Sequence, residues 1–205
     1  YEHNGEYKIL RSFLERMLPE FRIEKLSKPV IESEQYRIDL SVREAGKYAI
    51  IFENKIHKAV LQKNQLARYI EKLHDKEHFN YNQIYVIFMP PTVGYESNDC
   101  CWHKFVDGIC GKCDNGECKL NYSPELRKMF MNENRYKKIT FKDDLLNWLK
   151  EDVLPNLTEK EELLKSSVIL YIDYLEGLFQ LRMNEKNIYM ELRDFIVKKL
   201  KLDDK

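Results

Sequence analysis

The 205-residue chain has little glycine and proline, no net charge and no long apolar run. Seven glycines and six prolines in a chain that is 43% hydrophobic are typical of one ordinary globular unit, to which a helical part is appended. Lys plus Arg and Asp plus Glu each number 34, so overall charge gives no argument for a polyanionic partner. Any nucleic-acid surface must therefore be local.

The apolar runs are too short to span a bilayer, and no signal-peptide pattern opens the chain. We therefore expect a soluble cytoplasmic protein with no membrane partner. The chain starts at Tyr1 rather than Met, and we expect it to have been trimmed or to lack an upstream segment.

Charged residues interrupt two neighbouring apolar segments that the pattern predicts to be β-strands. Segments 36–40 and 50–55 carry Asp39, Glu53 and Lys55. Burial of charge is costly unless a metal or a reaction uses it, so these residues indicate a site of chemistry. The competing possibility is a cross-strand ion pair of Lys55 with Glu53 or Asp39 on a solvated face of the sheet.

The register of these strands decides whether Asp39 and Glu53 share a face. A three- or five-residue loop centred on Gly46 places the two carboxylates opposite each other and keeps the apolar residues on one surface. The apolar pairs that it makes are Leu40 with Phe52 and Val42 with Ile50, with Asp39, Ser41, Ile51 and Glu53 on the other face. A two-residue turn would shift the pairing by one and separate the carboxylates, so we predict the odd-length loop.

The rest of the pattern predicts an α/β core followed by helices. Predicted helices span 5–18, about 59–76 and 143–154, and two more lie within 158–202, separated by a break near Asn184. Pro19 ends the first helix, and Thr140 or Asp143 caps the third. Predicted strands lie near 29–31, at 84–88, which is typical of a buried central strand, and, more weakly, at 138–141.

Asp39 and Glu53 are hard oxygen ligands of the kind that Mg²⁺ and Mn²⁺ prefer. These ions take one or two carboxylates and fill the remaining positions with water and substrate phosphate. The backbone carbonyl of Asn54 could complete the set of metal ligands. Lys55 could orient a water or neutralise charge that develops on phosphorus.

Gln65 and Tyr69 are four residues apart, so both project from one side of the helix that follows Lys55. They could bind a phosphate or position a metal water, or they could form an ordinary capped helix face. His57 is either a base or phosphate contact or a surface histidine at the end of the strand.

This ordered set resembles the PD-(D/E)XK nuclease superfamily, in the branch with an added Gln-x-x-x-Tyr motif. The set is Asp39, then Glu53-Asn54-Lys55, then Gln65 and Tyr69. The likeness covers residues 5–89, and segment 138–149 with the helices after it is similar to the tail of a bacterial PD-(D/E)XK-like group. Ile38 precedes Asp39 where the family pattern has Pro.

The resemblance implies a restriction-endonuclease-like core, in which a mixed central sheet is flanked by helices, and a Mg²⁺- or Mn²⁺-dependent phosphodiesterase. In such an enzyme Asp39 and Glu53 hold the metal and Lys55 assists the attacking water. The family also places a Glu on the first helix. We expect Glu6 rather than Glu15 in this position, because Glu6 shares the apolar face of the predicted helix.

All five cysteines lie within residues 92–121, together with His103. The spacing of Cys110 and Cys113 is that of a zinc knuckle. The predicted Zn²⁺ ligands are Cys101, Cys110, Cys113 and Cys118, with Cys100 or His103 as alternatives to Cys101. The cysteines could instead be free thiols or form disulfides. Because positive and negative charges near them are balanced, we expect a zinc knuckle here to stabilise the loop or contact protein rather than bind phosphate.

We therefore predict a nuclease-like core at 1–91 plus 136–155, a cysteine-rich insertion at 92–122, and carboxyl-terminal helices at 156–205 packed on the core. The predicted function is a metal-dependent nuclease whose partner is nucleic acid, with DNA expected ahead of RNA. The alternative is a catalytically silent module that binds nucleic acid or protein within a larger defence or repair complex. Assembly as a homo-oligomer is a further expectation.

Overall fold

Alternating apolar segments organise the chain into one mixed sheet with helices around it. A computed structural model describes residues 6–22, 24, 26–57, 65–95 and 135–182, and the backbone of 105–106 and 109–110. The strands are β1 (Val30–Ser33), β2 (Leu40–Glu44), β3 (Tyr48–Asn54), β4 (Ile84–Met89), β5 (Phe105–Val106), β6 (Ile109–Cys110) and β7 (Tyr136–Lys138). The helices are α1 (Lys8–Met17), α2 (Gln65–Glu77), α3, which joins the segments Phe141–Leu145, Leu146–Trp148 and Leu149–Val153, and α4 (Glu162–Leu178).

The main sheet has five strands in the order β1-β2-β3-β4-β7. The β1, β2 and β3 strands pair antiparallel, whereas β3, β4 and β7 run parallel. Parallel neighbours need a crossover connection, and α2 lies within the one between β3 and β4. Every residue of β4 is buried, which confirms the predicted central strand.

The β2–β3 hairpin has the predicted register. Leu40 pairs with Phe52 and Val42 pairs with Ile50, and residues 45–47 form the three-residue loop. Gly46 has a φ of +72°, a backbone conformation that a residue with a side chain rarely adopts. The odd-length connection is therefore confirmed.

Helices cover both faces of the sheet. On one face the ring of Phe13 from α1 lies 5.8 Å from the ring of Phe52 and 5.0 Å from that of Trp148 in α3. On the other face α2 contributes to a second apolar cluster, made of Ile38, Ala49, Ile51, Leu66, Tyr69, Ile70, Leu73, Phe79, Ile84, Val86 and Phe88. Because Glu53 is two residues after Ile51, its side chain points toward α2.

Several predicted boundaries are wrong by a few residues. The first helix begins at Lys8 rather than at residue 5, because Tyr7 has a left-handed backbone with a φ of 47°. The last strand of the sheet spans Tyr136–Lys138 rather than 138–141. Thr140 is not part of this strand but caps α3: its hydroxyl oxygen accepts hydrogen bonds from the backbone N–H groups of Asp143 and Asp144. Thr140 is thus the cap, and α3 begins before Asp143.

The chain divides into two units, Tyr1–Asn156 and Leu157–Lys205. In the second unit α4 buries Val168, Ile172 and Leu175, at helical spacings of four and three. The helix ends at Leu178, ahead of the predicted break near Asn184, which lies outside the described residues. None of the helices in the described part of the chain is long and apolar enough to cross a membrane.

Candidate active site

Asp39 follows a strained turn at residues 34–37 and immediately precedes β2. The predicted strand at 36–40 is therefore wrong except at Leu40, where β2 begins. Three non-glycine residues of this turn have left-handed backbones, with φ of 60° at Glu34, 56° at Tyr36 and 65° at Arg37. Such conformations cost on the order of 1–3 kcal/mol each and persist only where surrounding contacts hold them. After the turn, Oδ2 of Asp39 accepts a hydrogen bond from the backbone N–H of Asn54 at 2.7 Å. This bond ties the start of β2 to the end of β3.

Glu53 and Lys55 form a buried ion pair at the end of β3. Glu53 is 1% exposed and Lys55 is 6% exposed, and Nζ of Lys55 contacts Oε1 of Glu53. The strand itself ends at Asn54, but the N–H of Lys55 still donates to the carbonyl of Met89 at 2.8 Å. An ion pair is therefore present, although not on a solvated face. A buried pair of this kind stabilises a protein only when further polar partners surround it.

Gln65 supplies those partners from the first turn of α2. Its Nε2 donates to Oε1 of Glu53 at 2.8 Å and to the hydroxyl of Tyr69 at 2.6 Å. Its Oε1 accepts from Nζ of Lys55 at 3.2 Å. The Tyr69 hydroxyl in turn donates to the backbone carbonyl of Arg37. Both amide hydrogens of Gln65 are therefore in use within the protein, where they bond Glu53 and Tyr69. Its role as an orienting residue or as a phosphate contact stays a prediction.

Burial dominates the electrostatics of the cluster. It raises the pKa of Glu53 from 4.5 to about 7, with the charge of Asp39 adding to the shift and the bond to Lys55 opposing it. Burial also raises the pKa of Tyr69 to about 12, so its hydroxyl stays protonated at neutral pH and remains a donor. Glu53 is therefore close to half-ionised near pH 7 until a further positive charge approaches it.

One oxygen of this cluster is buried without a partner. Oε2 of Glu53 has no hydrogen-bond donor among the described residues, and such atoms are rare in folded proteins. Together with the Asp39 carboxylate it forms an oxygen donor set that fits Mg²⁺ or Mn²⁺. Within the described ranges there is no cluster of three or more His, Cys, Asp or Glu suited to a metal. Two carboxylates are fewer than such a cluster requires, and Mg²⁺ is commonly held by only one or two.

A family model for the PD-(D/E)XK nuclease superfamily matches residues 10–173, which is most of the chain and includes Asp39, Glu53 and Lys55. The chain belongs to the PD-(D/E)XK nuclease superfamily. This confirms the predicted superfamily and, with the mixed sheet, the restriction-endonuclease-like core. Neither the curated proteins nor the solved structures contain a match to the chain. The Gln-x-x-x-Tyr branch stays a prediction.

In this superfamily member, Glu6, the acidic ligand predicted for the first helix, lies outside that helix. Glu6 precedes α1, so the argument that it shares the helix's apolar face is wrong. Its exposed carboxylate lies 3.1 Å from Nζ of Lys8, and its backbone carbonyl accepts from Arg11 at 2.8 Å. A role for Glu6 as a ligand stays a prediction. His57 is exposed beyond the end of β3, as a surface histidine would be.

The predicted zinc ligands of the insertion fall outside the part of the chain that the structure describes in full. Cys101, Cys113 and Cys118, with the alternatives Cys100 and His103, lie outside the described residues. Of Cys110 the structure describes the backbone alone, in strand β6. The zinc knuckle of this PD-(D/E)XK protein therefore stays a prediction.

Sequence reasoning missed a second set of polar residues beside the site. Nζ of Lys72 donates to the backbone carbonyl of Tyr36 at 2.9 Å, and the Tyr36 hydroxyl donates to Oε1 of Glu77 at 2.7 Å. A signal was available, because Lys72 is three residues after Tyr69 and so lies on the same side of α2. The partner of Lys72 is a backbone carbonyl, however, and the residue types of a sequence do not reveal such a partner.

Proposed function

We propose that this protein is a metal-dependent nuclease that hydrolyses phosphodiester bonds, with DNA as its substrate. The observation that carries the proposal is the buried Glu53 carboxylate, which has one oxygen without a partner and the other oxygen against Lys55. A carboxylate in this condition is costly in a purely structural position, because it is desolvated and incompletely paired. A hard divalent cation would satisfy it.

Asp39 and Glu53 would hold the ion, with the backbone carbonyl of Asn54 as a further oxygen ligand. When bound, Mg²⁺ or Mn²⁺ would make a water more acidic and offset the negative charge that develops on the phosphate. The hydrogen bond from the Asn54 N–H fixes one oxygen of Asp39. The other oxygen of that carboxylate remains for the ion.

Lys55 would act on the phosphate or the attacking water as a fixed positive charge. Its Nζ donates to Oε1 of Gln65 and contacts Oε1 of Glu53, and these two partners would hold the ammonium group in position before substrate arrives. Fixed charges in a site shielded from water stabilise developing negative charge more strongly than charges in solution do. Once an ion binds Glu53, that carboxylate would compete less for the N–H groups of Lys55, which could then donate to the phosphate or the water.

The test is a cleavage panel of single-stranded, double-stranded and branched DNA and of RNA, each with Mg²⁺ and with Mn²⁺. We expect the wild type to cleave DNA and Lys55→Ala to lose at least about 100-fold in rate. Lys76→Ala is the matched control, because Lys76 is an exposed lysine of α2. Cleavage by Lys55→Ala at the wild-type rate would refute the assigned role. Absence of both cleavage and Mn²⁺ binding in the wild type would favour a silent binding module.

A further inference from the structure

The residues that lead into Asp39 are held by α2 at three successive positions. Nζ of Lys72 binds the carbonyl of Tyr36 at 2.9 Å, and the hydroxyl of Tyr69 binds the carbonyl of Arg37. The side chain of Ile38 is 1% exposed and lies in the apolar cluster that α2 lines. The helix thus bonds residues 36 and 37 and shares an apolar cluster with residue 38.

Glu77, the last residue of α2, adds contacts on both sides of Asp39. Its Oε1 accepts from the hydroxyl of Tyr36 at 2.7 Å and lies 3.3 Å from Nη1 of Arg43. Tyr36 comes three residues before Asp39, and Arg43 comes four residues after it on β2. The guanidinium of Arg43 is itself buried and also contacts Glu32 of β1. One carboxylate therefore links the turn and the strand between which Asp39 lies.

The contacts from α2 hold a part of the chain that no strand pairing holds. The ladder between β2 and β3 begins with Leu40 and Phe52, so Asp39 lies just before its first pair. The preceding turn has left-handed backbones at three non-glycine residues, which is not a conformation that such residues prefer. The bond from the Asn54 N–H holds one oxygen of Asp39 from β3, but it does not hold the chain that leads into Asp39. Without the contacts from α2, that chain would relax to a commoner conformation and strain this bond.

We infer that Lys72 and Glu77 are positioning residues for Asp39, which hold the strained turn so that its carboxylate is presented beside Glu53. They touch neither substrate nor metal and act through the turn. The inference rests on the proposed function, because it assigns Asp39 to the metal. Residues that orient metal ligands change affinity or activity by about 10- to 100-fold when they are replaced.

The test compares Lys72→Met, which removes the donor but keeps an unbranched apolar side chain, with Lys72→Arg, which keeps a donor. Lys76→Met is the control, because Lys76 is an exposed lysine of the same helix. Mn²⁺ affinity by calorimetry, kcat and KM for DNA cleavage, and the Tm are measured for each. We expect Lys72→Met to lose about 10- to 100-fold in Mn²⁺ affinity and kcat with KM unchanged. Lys72→Arg should restore most of the loss.

A second variant guards against a folding defect. Tyr36→Phe removes only the hydroxyl that binds Glu77. We expect it to lower Mn²⁺ affinity and kcat by equal factors. Wild-type values for both Lys72→Met and Tyr36→Phe would overturn the inference, as would a loss that tracks the Tm and that Lys72→Arg does not reverse. A wild type that binds Mn²⁺ but cleaves nothing would defeat the proposed function alone, because positioning of Asp39 is still measured by Mn²⁺ affinity. A wild type that does neither overturns both.

Discussion

The raised pKa of Glu53 predicts that the metal-free protein loses stability as the pH rises. Folding moves this pKa from 4.5 to about 7. Between these values the folded protein binds more protons than the unfolded chain, so the free energy of unfolding falls with increasing pH. At about 1.4 kcal/mol per pKa unit, the contribution of Glu53 declines by about 3 kcal/mol in total. It is fully present below pH 4.5 and lost above pH 7.

The measurement is urea unfolding at several values between about pH 5 and pH 8, with a chelator and again with saturating Mn²⁺. Wild type and Glu53→Gln are compared at each pH, because other titrating groups contribute equally to both. We expect the difference between the two proteins to change by most of the predicted amount over this range. Bound Mn²⁺ favours the ionised carboxylate, so in the wild type it should flatten the dependence on pH.

Three results would refute this reasoning. The first is a constant difference between wild type and Glu53→Gln, which would mean that Glu53 does not titrate in this range. The second is a difference that changes in the opposite direction, which would mean that its pKa is lowered on folding. The third is a pH dependence that Mn²⁺ leaves unchanged, which would separate Glu53 from the metal.

Two further predictions concern the residues around this carboxylate. Gln65→Ala removes three hydrogen bonds. We expect DNA cleavage to fall by about 10- to 100-fold in a cleavage assay and the free energy of unfolding to fall by about 1–3 kcal/mol in a urea titration. Unchanged cleavage would contradict its orienting role. At Arg37, where φ is 65°, glycine should leave stability within about 1 kcal/mol, whereas Arg37→Val should lower it by about 1–2 kcal/mol. Equal stabilities of the two variants in a urea titration would show that this backbone is not strained.

The hairpin and its carboxylates could be predicted because side chains on a strand alternate with a period of two. Leu40 and Val42 had to face Phe52 and Ile50, and that requirement alone placed Asp39 opposite Glu53. The central strand at 84–88 was equally accessible, because a short continuous apolar run with turn residues on both sides is typical of a buried strand.

Other features depend on contacts between distant segments, which a sequence pattern does not encode. The start of α1 was predicted three residues too early because the apolar spacing gives no sign that Tyr7 has a left-handed backbone. The strained turn before Asp39 contains ordinary residues and no glycine. The spacing of Gln65 and Tyr69 indicated that both act together, but their bonds to Glu53 and to the carbonyl of Arg37 required the fold.

The three-residue loop at Gly46 also restricts insertions and deletions at this point of the chain. Loops elsewhere absorb insertions and deletions readily, because lengthening them costs little entropy. Here a change of one residue would turn one strand over relative to the other and carry Asp39 to the opposite side of the sheet. The carbonyl of Gly46 also accepts a bond from Nε2 of Gln83 at 2.7 Å, just before β4 begins. An exposed loop at the far end of the hairpin from Asp39 and Glu53 is thus fixed in length by the site that the hairpin carries.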